Sequence, residues 1–338
     1  MNTNKNTQLF PLESSILSGE AILASIQKCY SENFHSCRLY YRSIHDTYIV
    51  QGDNKTFYFK VYRFGLRSKK DIQGEIDAIN HLIKKKINVS RPVCKTASDY
   101  IIEFPTIQGI RYGVLFTSVG VQSMDELVEN DKLNIRLGAY LGRVHQAWDD
   151  FVPTVNNHKL DVATVLDGSL QHVRVLSDLY HFDFEFLQDV SDRLKLKLQQ
   201  LSKEKPAFGF CHGDFYSGNI RMSKSKEPIV FDFDFSGQCY RMYDVALYAN
   251  AFGLGCSLAD IEKRERRKSA FMEGYNSIQT VTDEMVHSLD LFVPYRRIFN
   301  IGTIYCGMTS TFGDHFAIIN TNRDIELLKK WLDLNPVL

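Results

Sequence analysis

The chain has no CxxC pair, and its seven cysteines are scattered singly through 338 residues. That spacing offers neither a thiolate zinc site nor an even disulfide framework, and it fits a reducing compartment. No apolar run approaches the roughly 20 residues needed to span a bilayer. The polar stretch from Met1 to Gln8 has no signal-like apolar region. The expectation is a cytoplasmic protein that makes no membrane contact. Neither sign of charge is in excess: 40 Lys+Arg balance 40 Asp+Glu. The broad basic field of a nucleic-acid binder is therefore missing, and no nucleic-acid partner is expected. Internal repeats and low-complexity tracts are absent as well. With 44% hydrophobic residues, the chain has enough apolar surface for a sizeable core in one or two domains.

The most informative stretch is His212-Gly213-Asp214-Phe215-Tyr216-Ser217-Gly218-Asn219, followed by Phe231-Asp232-Phe233-Asp234. The order H-x-D-x-x-x-x-N, then an Asp closing a hydrophobic run, is close to the catalytic-loop and metal-binding pattern of phosphoryl transfer. That reaction asks the protein mostly for positioning and charge neutralisation. Asp214 is the candidate base for a substrate hydroxyl. Asn219 offers Mg²⁺ a neutral oxygen and Asp232 a charged one, which suits a cation that takes oxygen ligands and keeps several waters. Between them, Ile220-Arg221-Met222 and Pro228-Ile229-Val230-Phe231 flank a polar turn and read as a hairpin that returns the chain to the same metal. An isolated HGD tripeptide also occurs as a simple turn; the full spacing is what carries the chemistry. His212 reads as a structural residue of the loop. Asp234, two beyond Asp232, shares its face if the segment is a strand, and is assigned a supporting role. Asp244 sits near a helix start, where capping or loop bracing is expected.

The first third is mixed β and α. Tyr48–Val50 and Thr56–Tyr62 are strand-like, with a turn at Gln51–Asn54, and Ile101–Phe104 and Val114–Phe116 follow. A helix is predicted from about Lys69 to Lys85, with Ile72, Ile76, Ile79, Leu82 and Ile83 at helical spacing. In the strand Phe57–Tyr62, Phe57, Phe59 and Val61 share one face and Lys60 lies on the other. Glu75 falls on the apolar stripe of the helix, where a carboxylate is costly unless paired. Lys60 is its natural partner, and such a pair positions a phosphate-binding Lys in kinases. From about Met124 the pattern is mainly helical, with helices expected over Leu133–Trp148, Phe184–Leu201, Tyr243–Phe252, Ser257–Tyr275, Asp283–Ile304 and Arg323–Leu332. The domain boundary is placed at 118, dividing residues 1–118 from 119–338.

On these residues the chain resembles the aminoglycoside phosphotransferase and choline kinase superfamily, and within it the small-metabolite, homoserine-kinase-like branch. The resemblance rests on Lys60, Glu75, the helix Leu137–His145, Cys211 to Asn219, Phe231–Asp234 and Tyr243–Ala246. It implies an α+β, bilobal, protein-kinase-like fold, with a small lobe of five antiparallel strands plus a helix and a large, mostly helical lobe. Nucleotide would lie between the lobes, ATP or GTP with Mg²⁺. Lys60 would contact its phosphates and Glu75 would orient Lys60. Phe116 and Ser118 would belong to the hinge that reads the base. Asp214 would be catalytic and Asn219 and Asp232 the metal ligands. One departure stands out: the phosphate loop Arg42-Ser43-Ile44-His45-Asp46-Thr47 has no glycine, whereas a protein-kinase loop is Gly-rich. Ser43 is the candidate hydroxyl contact there.

The expected activity is transfer of a nucleotide γ-phosphate to a hydroxyl of a small molecule, by a monomer or homodimer. The acceptor classes are amino alcohols, homoserine-like metabolites, sugars and antibiotics such as aminoglycosides. A cationic acceptor calls for acidic residues, of which Asp149, Asp150, Asp183, Glu185, Glu273, Asp283 and Glu284 are candidates. Three alternatives stay open: a protein Ser/Thr kinase, a catalytically inactive nucleotide-binding regulatory module, and a metal-dependent hydrolase using His212, Asp214 and Asp232. The short interval between Asp234 and Tyr243 disfavours the first, the intact site the second, and the scarcity of nearby histidines the third.

Overall fold

The structure, a computed structural model, describes residues 12–95, 99–120, 122–155, 160–250 and 257–338. The chain forms two compact units: residues up to Lys69 together with Val93–Phe116, and Lys70–Pro92 together with Thr117–Leu338.

The first unit holds the helix α1 (Gly19–Cys29) and five strands, β1 (Phe34–Arg42), β2 (Asp46–Gly52), β3 (Thr56–Val61), β4 (Ile101–Thr106) and β5 (Gly109–Thr117). They form one antiparallel sheet in the order β1-β2-β3-β5-β4. The period-2 pattern of β3 behaves as expected: Phe57, Phe59 and Val61 are buried and join Ile22, Ile26, Phe34, Val50 and Leu115 in one core cluster. Burying each such side chain contributes about 1.5–3 kcal/mol, so a one-residue register slip of β3 would cost several of them at once. Ser18 caps α1 by accepting the Ala21 N–H. Neither α1 nor β1 was assigned from sequence.

The second unit is mostly helical. It contains α2 (Lys69–Lys84) from Lys70 onward, α3 (Asp131–Ala147), α4 (Gly168–Tyr180), α5 (Phe184–Leu198), α6 (Arg241–Ala249), α7 (Leu258–Asn276), α8 (Asp283–Ser288), α9 (Phe292–Phe299), α10 (Thr309–Phe312) and α11 (Asp314–Leu334). Two small sheets join them: β6 (Gln122–Ser123), β8 (Ile220–Met222) and β9 (Pro228–Val230) in one, β7 (Phe208–Cys211) and β10 (Gly237–Tyr240) in the other. The expected hairpin is β8–β9, with Ile220 opposite Val230. Helices α3 and α7 touch backbone to backbone. A Cβ on Gly138 would lie 1.9 Å from the Phe271 carbonyl oxygen, and one on Gly274 would lie 1.9 Å from that of Ile135, so both positions require glycine.

Two expectations are corrected. The single helix over 283–304 is interrupted: α8 ends at Ser288, a 3₁₀ turn covers Leu289–Leu291, α9 follows, and a π-helical segment runs over Asn300–Cys306. Pro294 lies in the first turn of α9, where its missing N–H costs nothing, whereas in mid-helix it would break the ladder. The last helix begins at Asp314 rather than Arg323. Part of the helix expected over 243–252 lies outside the described residues. No described helix is long and apolar enough to cross a membrane.

Candidate active site

The H-x-D loop leaves β7 at Cys211 and is held by a buried carboxylate. Asp244, in the first turn of α6, accepts the His212 N–H at 2.6 Å and the Gly213 N–H at 2.8 Å. His145 of α3 donates to the same carboxylate from Nε2 at 3.1 Å, and its Nδ1 meets the Tyr275 hydroxyl at 2.9 Å. Burial alone would depress the His145 pKa, but its hydrogen bonds to Asp244 and Cys211 outweigh that and hold it above the ordinary imidazole value. His145, Cys211 and Asp244 are the one group of His, Cys and acid ligand atoms among the described residues within 4.8 Å of one another. Asp244 is committed to the loop amides and to His145, which makes this trio a structural brace.

Gly213 has φ +79°, and a Cβ there would sit 2.1 Å from the Phe235 carbonyl oxygen. Only glycine lets the loop lie this close to the segment after β9. His212 ties the same two segments. Its Nδ1 accepts the Asp214 N–H at 3.2 Å, so Nε2 carries the proton and donates to the Phe231 carbonyl at 3.1 Å. Its burial lowers its pKa, in keeping with a neutral, structural imidazole.

Both oxygens of Asp214 are held. Asn219 Nδ2 donates to Oδ2 at 2.8 Å and to the Asp214 carbonyl at 3.0 Å. Arg296 Nη2 donates to Oδ1 at 2.5 Å. Arg296 comes from α9 and spends its other arm, Nη1, on the Gly213 carbonyl at 3.1 Å and the Tyr243 hydroxyl at 3.0 Å. The Asp214 and Arg296 side chains are 13% and 11% exposed. Burial pushes the Asp214 carboxyl upward, Arg296 opposes that shift, and the nearby Asp232 charge reinforces it. Sequence reading missed Arg296. The available signal was an Arg-Arg pair on the apolar helix Phe292–Phe299, which looks the same as an ordinary cationic helix end.

Committing the Asn219 amide nitrogen to Asp214 leaves its oxygen as the acceptor for other partners. The Asn219 carbonyl accepts the Phe231 N–H at 3.1 Å, which fastens the loop one residue before Asp232. Asp232 is exposed and has φ +64°, a left-handed conformation that Asp tolerates better than most residues. β9 has already ended at Val230, so the alternation assumed for Asp232 and Asp234 does not apply: Asp232 is exposed and Asp234 is buried. An amide oxygen and an exposed carboxylate make an all-oxygen donor set, which fits Mg²⁺.

The remaining predicted residues lie in both units. In the first, Lys60 is 9% exposed, with Nζ 4.9 Å from the Tyr62 ring centroid. Ser43 lies in the turn between β1 and β2 and donates its N–H to the His45 carbonyl at 3.1 Å. Phe116 is half-buried near the end of β5. In the second, Glu75 is 5% exposed on the buried face of α2, and Ser118 is exposed. Several candidate acceptor-site acids have structural partners. Asp149 pairs with Arg241, Asp150 with His81 and Lys85, and Asp183 with Lys329 while capping α5, and Glu284 accepts the Ser202 N–H.

A two-unit chain with a five-stranded antiparallel sheet, a helical part, and a braced H-x-D-x-x-x-x-N loop beside an Asp is a kinase-like phosphotransferase. The chain belongs to the phosphotransferase enzyme family, whose model matches residues 42–276, and it falls within the aminoglycoside phosphotransferase and choline kinase superfamily. An uncharacterised protein of Synechocystis sp. is 27% identical over 278 residues, covering 81% of this chain and 74% of the relative. Among solved structures, an aminopropanol kinase associated with a microcompartment aligns with a TM-score of 0.70 at 17% identity, over 94% of this chain and 99% of the other. An amicoumacin kinase in complex with AMP-PNP, Ca²⁺ and Ami aligns with a TM-score of 0.68 at 19% identity, over 91% and 94%.

Proposed function

We propose that the chain transfers the γ-phosphoryl group of ATP or GTP, with Mg²⁺, to a hydroxyl of a small molecule. The observation that carries this reading is the double tether on Asp214: Arg296 on one carboxylate oxygen and Asn219 on the other. A fixed carboxylate of this kind orients an incoming hydroxyl and takes its proton as the oxygen attacks phosphorus. Asn219, through its amide oxygen, and Asp232, through its carboxylate, would hold the metal, with Asp234 in support. Bound Mg²⁺ supplies neutralisation of the phosphate oxygens. Lys60 would position the phosphates and Glu75 would orient Lys60. Ser43 would add a hydroxyl contact, and Phe116 and Ser118 would read the base. On this reading residues 1–118 serve the nucleotide phosphates and hinge, and residues 119–338 carry the catalytic loop and the acceptor.

A small acceptor is favoured over a protein. The chain passes from Asp234 to α6 through β10 alone, and β10 is paired with β7 along Gly237–Tyr240. That leaves no extended segment to seat a peptide. The likeness to an aminopropanol kinase and an amicoumacin kinase supports amino alcohols and antibiotics as acceptor classes, and homoserine-like metabolites and sugars complete the set. The test is Mg²⁺-dependent consumption of ATP and GTP across that panel. Acceptor-dependent turnover supports the reading and names the class. Binding of nucleotide with no turnover on any small acceptor counts against it.

A further inference from the structure

Residues 12–18, just before α1, form no helix or strand of their own. Side chains of the first unit hold them in place. Arg111 Nη1 donates to the Ser15 carbonyl at 2.8 Å, the Tyr48 hydroxyl to the Leu17 carbonyl at 2.6 Å, and Gln108 Nε2 to the Leu12 carbonyl at 3.1 Å. A further tether differs in kind, because two charged groups meet on one neutral oxygen. Ser14 Oγ accepts Arg42 Nη2 at 2.7 Å and Arg63 Nη1 at 3.0 Å.

A serine hydroxyl has two lone pairs and no charge. The two guanidinium groups occupy both lone pairs, and neither cation is neutralised by the contact. The nearby carboxylate is already shared. Asp46 Oδ2 pairs with Arg111 at 2.8 Å, and its Oδ1 lies 3.7 Å from Arg42 Nε. Three arginines thus gather round one buried acid. Arg63 feels this crowding: burial lowers its pKa first, Asp46 opposes, and the charges of Arg42 and Arg111 lower it further. Negative charge is what this place lacks, and the two converging donors mark where it fits.

A phosphate on Ser14 Oγ would meet donors that are already aimed. Arg63 spends Nε on the Ile44 carbonyl at 2.9 Å and Nη2 on the Ser43 carbonyl at 2.8 Å. Those bonds fix the plane of its fork and leave Nη1 directed at Ser14. The hydroxyl is also within reach of a modifying enzyme. Ser14 is half-buried, and the Arg42 side chain beside it is 36% exposed. Leu12 and Ile16 are exposed, so the segment can open locally with little loss of apolar burial.

We infer that Ser14 is a phosphorylation site and that Arg42 and Arg63 form the receptor for its phosphate. The donor is a nucleoside triphosphate used by a serine kinase. Ser14 Oγ bonds to the γ-phosphorus, the bond from that phosphorus to the bridging oxygen breaks, the nucleoside diphosphate leaves, and the hydroxyl proton passes to the kinase's base. The product exchanges two contacts to a neutral oxygen for charge-assisted hydrogen bonds from both arginines. Through Arg63 it fastens residues 12–18 to the turn between β1 and β2. This inference is independent of the phosphotransferase reading above.

The test uses the full chain with phosphoserine genetically encoded at position 14, followed by ³¹P NMR through a pH titration. Phosphoserine ordinarily has a second pKa of about 6, and two guanidinium neighbours should lower it by about one unit or more. Arg42→Met should return much of that shift. It carries the decision, because Arg63→Met also releases the turn. An ordinary second pKa in the folded chain, or a shift that survives in Arg42→Met, overturns the receptor and with it the inference. Peptide mass mapping of the chain isolated from the cells that produce it is expected to find phosphate on Ser14. Unmodified Ser14 in both growing and starved cells overturns the modification.

Discussion

Arg296 Nη2 lies 2.5 Å from Asp214 Oδ1, joining α9 to a loop 82 residues earlier in the chain. Each partner depends on the other. Asp214 is a mostly buried carboxylate, and Arg296 is a mostly buried guanidinium that also holds the Gly213 carbonyl and the Tyr243 hydroxyl. Arg296 thereby supplies the counter-charge that opposes the upward shift burial imposes on the Asp214 carboxyl.

Removing Arg296 should damage both stability and rate. Arg296→Met leaves a largely buried carboxylate without its partner, a loss of about 3–5 kcal/mol, and frees the Asp214 side chain to turn. Arg296→Lys keeps a charge but cannot reach Gly213, Tyr243 and Asp214 together, so it should fold better than the Met variant and still turn over slowly. Urea unfolding and kcat measured side by side check this; a Met variant of wild-type stability contradicts it.

Asp244 should be as consequential for folding, without touching substrate. Its carboxylate accepts two loop amides and His145. Asp244→Ala leaves all three donors buried, a loss of about 3–5 kcal/mol. Asp244→Asn keeps an acceptor oxygen and should recover part of it. Thermal unfolding of both variants would show the order Ala below Asn below wild type; equal midpoints for all three would sink the brace.

The same brace predicts a pH dependence. The His145 pKa is raised in the folded protein, so its contribution to stability is full below the ordinary imidazole pKa of about 6.5. That contribution is lost as pH rises through the folded value. The difference in unfolding free energy between wild type and His145→Gln should therefore shrink on the alkaline side of neutrality. A difference that stays constant from acid to alkaline pH would show that His145 is not charged in the fold.

Asp232→Asn tests the proposed metal role. Asn tolerates the left-handed backbone found at φ +64°, so the variant removes charge without adding strain. The Mg²⁺ concentration needed for half-maximal nucleotide binding should rise about tenfold or more. An unchanged Mg²⁺ requirement would remove Asp232 from the metal site.

The H-x-D-x-x-x-x-N loop and the hairpin after it were legible from spacing: Asn219 does reach Asp214, and the chain does return through β8 and β9 before Asp232. The buried face of α2, with Glu75 among isoleucines, was legible from helical period alone. Arg296 was not, since nothing local distinguishes it from other cations at helix ends and its partner is distant in sequence. The conformation of Asp232 was not either, because a hydrophobic run predicts a strand and says nothing about where pairing stops. Helix α4 escaped because the π-helical Ala163–Asp167 leads into it through Gly168, which interrupts the 3.6-residue pattern. That Arg63 pins the Ser43 and Ile44 carbonyls is likewise a tertiary fact.

The most direct measurement is a single-turnover transfer of labelled γ-phosphate from pre-bound nucleotide to the best acceptor of the panel, in wild type and in Asp214→Asn. The account predicts that the variant binds nucleotide as wild type does and transfers about 10²–10⁴ times more slowly. Transfer at the wild-type rate in Asp214→Asn would contradict Asp214 as the base, and with it the central claim.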